Sequence, residues 1–181
     1  MELTGPNVKR RRVELPGSTS HTLGGGATCV QVHAAAISAT VFVVKLLVFL
    51  TESFEFEASE PGSPLAEQPP APSEGRFGEA IVAFVQCEPR DETRGEAVLK
   101  QAVKYFRWFA RKRGLTRLVI HSFAHLADER SSPEYARDLL ATLGDRLEEH
   151  GFEVHHTPFG WSLRWSMSVS GHGYAKTFKS L

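Results

Sequence analysis

Apolar positions recur along the chain with two periods, and each period predicts a different element. Over 94–113, Val98, Leu99, Ala102, Val103, Phe106, Phe109 and Ala110 fall at helical spacing, which predicts a helix with one buried face. Gly114 supplies its stop. A second helix is predicted from Pro133, with Ser132 as N-cap and Pro133 in the first turn. Leu139, Leu140, Leu143 and Leu147 form its core face, and Gly151 ends it. Apolar runs predict buried strands over 44–50, 79–88 and 116–121, with a short one over 152–155. Residues 161–169 alternate strictly, with Trp161, Leu163, Trp165, Met167 and Val169 on one face and Ser162, Arg164, Ser166 and Ser168 on the other. The order strand, strand, helix, strand, helix, strand, strand predicts an α/β domain, a mixed sheet covered by two helices.

Other stretches lack such a period. Residues 1–28 hold Lys9-Arg10-Arg11-Arg12, Pro16-Gly17-Ser18 and Gly24-Gly25-Gly26, which predicts a flexible arm. Residues 51–74 hold six Glu, five Pro and no Lys or Arg. Residues 53–57 alternate and suit a strand; the rest predicts a long surface loop, of the kind that is functional or disordered. Residues 34–50 are almost all apolar with Lys45 inside. A membrane span there is disfavoured: the run is at the short limit, and a buried Lys would cost roughly 2.5–3.5 kcal/mol. Glu52-Ser53-Phe54 is unlike the small-residue cleavage site of an export signal. The domain is therefore expected to begin near Val44, with 1–43 an N-terminal extension that is disordered or lies ahead of the true start.

Composition narrows the class. The chain has 181 residues, 41% hydrophobic and 23% charged, which fits one globular domain. A net charge of +0 excludes a globally basic nucleic-acid binder but permits a local patch. Such a patch is present. The 94–113 helix carries Lys100, Lys104, Arg107 and Arg111 on one stripe, with Trp108 and Tyr105 nearby and Glu96 as its one acid. Counterion release would reward this cluster on a phosphate backbone; a solvated face is the alternative. Cys29 and Cys87 are far apart and form no CxxC or disulfide framework, so a reducing, cytoplasmic setting is expected. His121 and His125 would pair on a metal only on a shared helix, and no third ligand is specified. His125, at the C-terminal end of a strand, suits ligand contact, with a hydrogen-bonded structural role as the alternative. No nucleophile elbow, P-loop or dinucleotide fingerprint is present.

Several motifs occur in a telling order: Leu118-Val119-Ile120-His121-Ser122-Phe123-Ala124-His125-Leu126, Ser132-Pro133, Gly151-Phe152-Glu153-Val154, Thr157-Pro158-Phe159-Gly160-Trp161 and Gly171-His172. Together they resemble the archaeal editing domain of threonyl-tRNA synthetase over 44–181. The resemblance implies a D-aminoacyl-tRNA deacylase-like fold, usually a homodimer. It implies hydrolysis of L-serine from mischarged threonine tRNA, in the cytoplasm, without metal or organic cofactor. The implied partners are the tRNA acceptor end and a synthetase catalytic subunit, to which such domains are linked or beside which they act in trans. The chemistry fits: one methyl separates threonine from serine and is worth only about 1–3 kcal/mol at a first site, so a second, hydrolytic site is needed. The chain itself has no room for a synthetase core or ATP site, so aminoacylation is not expected of it.

By the same resemblance His125 is the active-site histidine. Phe123, Ala124, Pro158, Phe159, Gly160, Trp161, Ser162, His172 and Lys176 would contact substrate, and Lys100, Lys104, Arg107 and Arg111 would contact tRNA. The terminal ribose hydroxyl is expected to assist. Two positions depart from the family pattern. Pro-Phe-Gly-aromatic is commonly followed by Tyr-Lys, where Ser162 and Leu163 stand here, and a glutamate is replaced by Lys176. If the apolar face of 161–169 packs on the helices, Leu163 belongs to the core. Weak catalysis is expected, and a domain that binds tRNA or a synthetase without hydrolysis is the alternative.

Overall fold

The computed structural model describes residues 44–181; the expectations for 1–43, arm and apolar run alike, lie outside the described residues. The elements are β1 (Lys45–Pro61), β2 (Glu74–Phe77), β3 (Ala80–Gln86), α1 (Gly95–Arg113), β4 (Arg117–Ser122), α2 (Pro133–Glu148), β5 (Glu153–His156), β6 (Trp161–Val169) and β7 (Lys176–Ser180), with a short 3-10 turn over Pro89–Thr93. They form one seven-stranded mixed sheet. β1 pairs antiparallel with β2 and β3 on one side and with β6 and β7 on the other, while β3, β4 and β5 run parallel. The two parallel crossovers are α1 and α2, as short βαβ units require. No helix of the described residues is long and apolar enough to cross a membrane, and the end of the apolar run is strand β1.

Both helices lie on one face. Leu46, Val48 and Leu50 of β1, Ile81, Ala83 and Val85 of β3, and Leu118 and Ile120 of β4 meet Phe106 and Phe109 of α1 and Leu139, Leu140, Leu143 and Leu147 of α2. Each fully buried aliphatic or aromatic side chain contributes about 1.5–3 kcal/mol. The opposite face holds a second cluster, Phe54, Phe56, Ala80, Val82 and Val119, with Phe49, Phe77, Leu163 and Met167 against it. The sheet curls around this cluster. Trp165 of β6 reaches Phe84 of β3 (centroids 5.7 Å apart) although β1 lies between the two strands.

The expected helices are present, and Gly114 caps α1 with φ 67°, its N–H donating to Ala110 O at 2.8 Å. Ser132 does occupy the N-cap of α2, but its side chain makes no cap bond. Its N–H and hydroxyl both donate to Glu92 Oε1, at 2.8 and 3.0 Å, so Glu92 anchors the entry to α2. The strands differ more. The 44–50 strand and the alternating 53–57 are one strand that continues to Pro61, through register shifts at Thr51/Ser53 and Ala58/Glu60. β2 (EGRF) and β7 (KTFKS) were not expected, because short strands with polar, exposed positions lack an apolar signal. β1 supplies the partner for both.

Candidate active site

A cleft of about 500 Å³ opens at the C-terminal ends of the parallel strands β3 and β4. This is where open α/β sheets place ligands. Its floor is Val85, Gln86 and Cys87, and its walls come from 121–125, from Arg130 and Ser131, from the start of α2, and from Phe159, Gly160, Trp161, Ser162, Leu163 and Trp165. Gly62, Ser63 and Pro64 close one side. The expected loop after β1 is thus part of the site. Gly62 N–H donates to Gly160 O at 2.7 Å, and the Trp161 indole donates to Glu67 O at 2.9 Å. Gly160 has φ 75°, and a Cβ there would come within 2.8 Å of Ser63 Cβ, so this turn requires glycine.

Electrostatically the cleft is nearly bare. No Asp or Glu lines it, and Arg130 is its one Lys or Arg among the described residues. His121 is buried, with Nδ1 2.8 Å from Thr157 Oγ1, and burial lowers its pKa to about 4. It is a neutral structural group near pH 7. Burial likewise pushes the Cys87 thiol up to about 12, with Asp91 adding to the effect, so Cys87 is no ready nucleophile. His125 is exposed at the rim and lies edge-on to Phe123, ring centroids 5.3 Å apart. Phe123 in turn meets Phe84 at 5.2 Å, and Phe84 meets Trp165. An aromatic path therefore runs from β6 across the floor to His125. His121 and His125 share no helix, and no group of three potential metal ligands occurs among the described residues.

Of the expected substrate contacts, the cleft brings together Phe123, Ala124, His125, Phe159, Gly160, Trp161 and Ser162. Pro158, His172 and Lys176 are not in its lining. Pro158 is buried behind the turn, and His172 sits exposed in the bend before β7. Lys176 opens β7 opposite Phe49, exposed and committed to that strand pair. Leu163 is not held under the helices. It packs on the second cluster and lines the cleft. Sequence reasoning missed Gln86, Arg130, Ser131 and Trp165, all in the cleft. Trp165 was visible in the alternation; its face alone did not reveal that the sheet would curl.

A separate groove of about 400 Å³ runs between α1 and α2. Lys100, Lys104 and Arg107 line it, joined by Arg146, Glu149 and His150 from the end of α2. Arg111 falls outside because α2 ends before that turn of α1. Glu96 bridges the rim, 2.7 Å from Arg146 and 3.4 Å from Lys100. The Arg146 hydrogen bond is the main cause of the lowered Glu96 pKa.

Comparison with known proteins decides the family. Residues 44–181 match the model described as the archaea-specific editing domain of threonyl-tRNA synthetase. The chain belongs to that family. Among its relatives, a threonine–tRNA ligase of Thermofilum pendens is 32% identical over 138 residues, and one of Methanothrix thermoacetophila is 33% identical over 138 residues. Each alignment covers 76% of this chain and 22% of the ligase, so the chain spans about a fifth of the length of these relatives. A solved structure named c-Myc DNA Unwinding Element Binding Protein has a TM-score of 0.53 and 9% identity, covering 76% of this chain and 98% of that one. That likeness speaks to the fold alone. The fold of this editing domain is the expected D-aminoacyl-tRNA deacylase type. The Phe-Ala-His and Phe-Gly-Trp motifs of the editing domain both line its cleft.

Proposed function

We propose that this domain hydrolyses the ester of L-seryl-tRNA(Thr), acting in trans or with a threonyl-tRNA synthetase catalytic subunit, in the cytoplasm. One observation carries the reading. The two motif loops converge on a cleft whose lining is aromatic and small, free of carboxylates, and open at the end of β3 and β4. An adenosine needs a flat apolar surface, and exposed Trp165 and half-buried Trp161 offer one. The seryl ester needs only water and a polar group beside its carbonyl. His125 is the residue placed to contact it, with the terminal ribose hydroxyl assisting. Attack of water on the ester carbon gives a tetrahedral oxyanion, which collapses to free serine and the ribose hydroxyl. Excluding threonine requires that the cleft leave no room for one more methyl beside the serine side chain.

Leu163 lines the cleft, and by the motif resemblance it stands where a lysine is common. It cannot donate a hydrogen bond to an oxyanion, and loss of one donor typically costs ~10²–10³ in rate. Turnover is therefore slow in the native protein, and Leu163→Lys raises it. The tRNA body lies along the α1/α2 groove, against Lys100, Lys104 and Arg107, with Arg111 beyond its end. The domain works as a homodimer, and the chain ahead of Val44 adds nothing to its stability. No metal or cofactor takes part. The test is release of serine from Ser-tRNA(Thr) against Thr-tRNA(Thr). Selective release supports the reading; tight tRNA binding with no release makes this a domain that binds without hydrolysis.

A further inference from the structure

We propose that Gln86 is the positioning residue of the cleft, setting the loop that presents His125 and Arg130. The part played by His125 rests on the deacylase reading; the hold of Gln86 on the loop does not. Gln86 is the last residue of β3 and shares a face with Val82 and Phe84 by strand alternation. It is 1% exposed. A buried primary amide must find partners for both its oxygen and its nitrogen. Here one segment supplies all of them. Oε1 accepts from the N–H of Leu126 and, at 3.0 Å, of Ala127. Nε2 donates to Glu129 O at 2.9 Å and to Ala127 O at 3.3 Å.

All four bonds go to the connection between β4 and α2, which has no regular structure to hold it. Its ends are tied to the β3 backbone: Phe123 N–H donates to Val85 O at 2.9 Å, and Ser131 N–H to Cys87 O at 3.0 Å. Between those ties, the Gln86 amide grips the middle. Leu126 follows His125, and Glu129 precedes Arg130. The amide thus fixes the backbone beside His125 and Arg130, two of the side chains that the loop brings to the cleft. Without it, two N–H and two C=O groups lose their partners in a half-buried site, and the loop must open to find water. A displacement of about 1 Å at a reacting group can cost ~10²-fold in rate.

The test compares Gln86→Met, which keeps the bulk, with Gln86→Glu, which keeps the acceptor. In Gln86→Met, amide exchange at Leu126 and Ala127 speeds up at least tenfold, while amides of β4 and α1 keep wild-type rates. On Ser-tRNA(Thr), kcat falls roughly 10²-fold and KM changes far less. Gln86→Glu lies between wild type and Gln86→Met in both readouts, and carries the test if the methionine variant does not fold. Unchanged protection at Leu126 and Ala127 in Gln86→Met overturns the proposal, as does wild-type exchange throughout residues 123–131 together with wild-type kcat in Gln86→Glu, which loses both donor bonds. So does released loop protection with undiminished kcat. If the wild-type protein releases no serine, the deacylase reading fails, and the exchange rates alone decide the hold of Gln86 on the loop.

Discussion

The two faces of the sheet are built from different materials. Under the helices the contacts are mainly aliphatic, with Phe106 and Phe109 of α1 among them: Leu46, Val48 and Leu50 meet Leu139, Leu140, Leu143 and Leu147, each at most 5% exposed. On the curled face they are aromatic, from Phe54, Phe56 and Phe77 to Phe84, Phe123 and Trp165. The first face is sealed by α1 and α2. The second is left open where β3 and β4 end, with Trp165 46% exposed. Aliphatic packing fixes the architecture; aromatic packing gives a rigid wall with polar edges that a base and an ester can meet. Damage to one face should therefore unfold the protein, and damage to the other should spare the fold and change the chemistry.

The largest expected effect is on the sealed face. Leu143→Ala lowers unfolding free energy by about 2–5 kcal/mol, because Leu143 is fully buried between the layers. Urea denaturation measures it, and serine release at 25 °C should persist in whatever fraction stays folded. On the open face, His125→Ala removes a rim group, so thermal stability holds within the error of calorimetry while serine release falls ~10²-fold. Equal stability losses for the two variants would erase the distinction between the faces.

A second contrast is electrostatic. His121 has its folded pKa lowered to about 4 by burial, below the 6.5 of the unfolded chain. Its contribution is present above pH 6.5 and is lost as pH falls toward 4, on the order of 3 kcal/mol in full. Asp91 behaves oppositely. Burial raises its carboxyl from 3.8 to about 7, against the pull of Arg94 and Lys45, so its contribution is present below pH 3.8 and lost as pH rises through 7. The two slopes oppose one another over the same window. His121→Gln should make stability fall as pH rises from 4 to 7, and Asp91→Asn should make it fall as pH drops. Melting temperatures at pH 4, 5.5 and 7 check this; parallel profiles in both variants would contradict it.

The groove between α1 and α2 offers a smaller effect. Lys104→Glu with Arg107→Glu should weaken tRNA binding and flatten the plot of log K against log salt by roughly one unit per lost phosphate contact. Unchanged affinity at low salt would make this a solvated face. The smallest effect is at the start: a chain beginning at Val44 should melt at the same temperature as the whole, and a clear loss would give residues 1–43 a structural part.

Much of this was legible in the pattern of residues, for a physical reason. α1 declares itself through Val98, Leu99, Ala102 and Phe106 because one helical face must be dry, and β3 through an unbroken buried run. β2 and β7 stayed hidden because Arg76, Lys176 and Lys179 sit in strands that owe their existence to pairing with β1, not to their own apolarity. His125 could be found from its motif and strand-end position. Gln86 could not: inside EAIVAFVQCE it reads as one polar residue ending a strand, and its four bonds go to residues about forty positions away. Lys176 opens β7 opposite Phe49, outside the lining of the cleft.

Serine release from Ser-tRNA(Thr) by the wild-type protein and by Leu163→Lys, measured side by side, tests the proposed chemistry most directly. Leu163 lines the cleft, so the proposed function expects a lysine there to reach the ester. The expected result is slow, serine-selective release by the wild type and a rate at least tenfold higher in the variant. Fast wild-type turnover that Leu163→Lys leaves unchanged, and that survives His125→Ala, would contradict it.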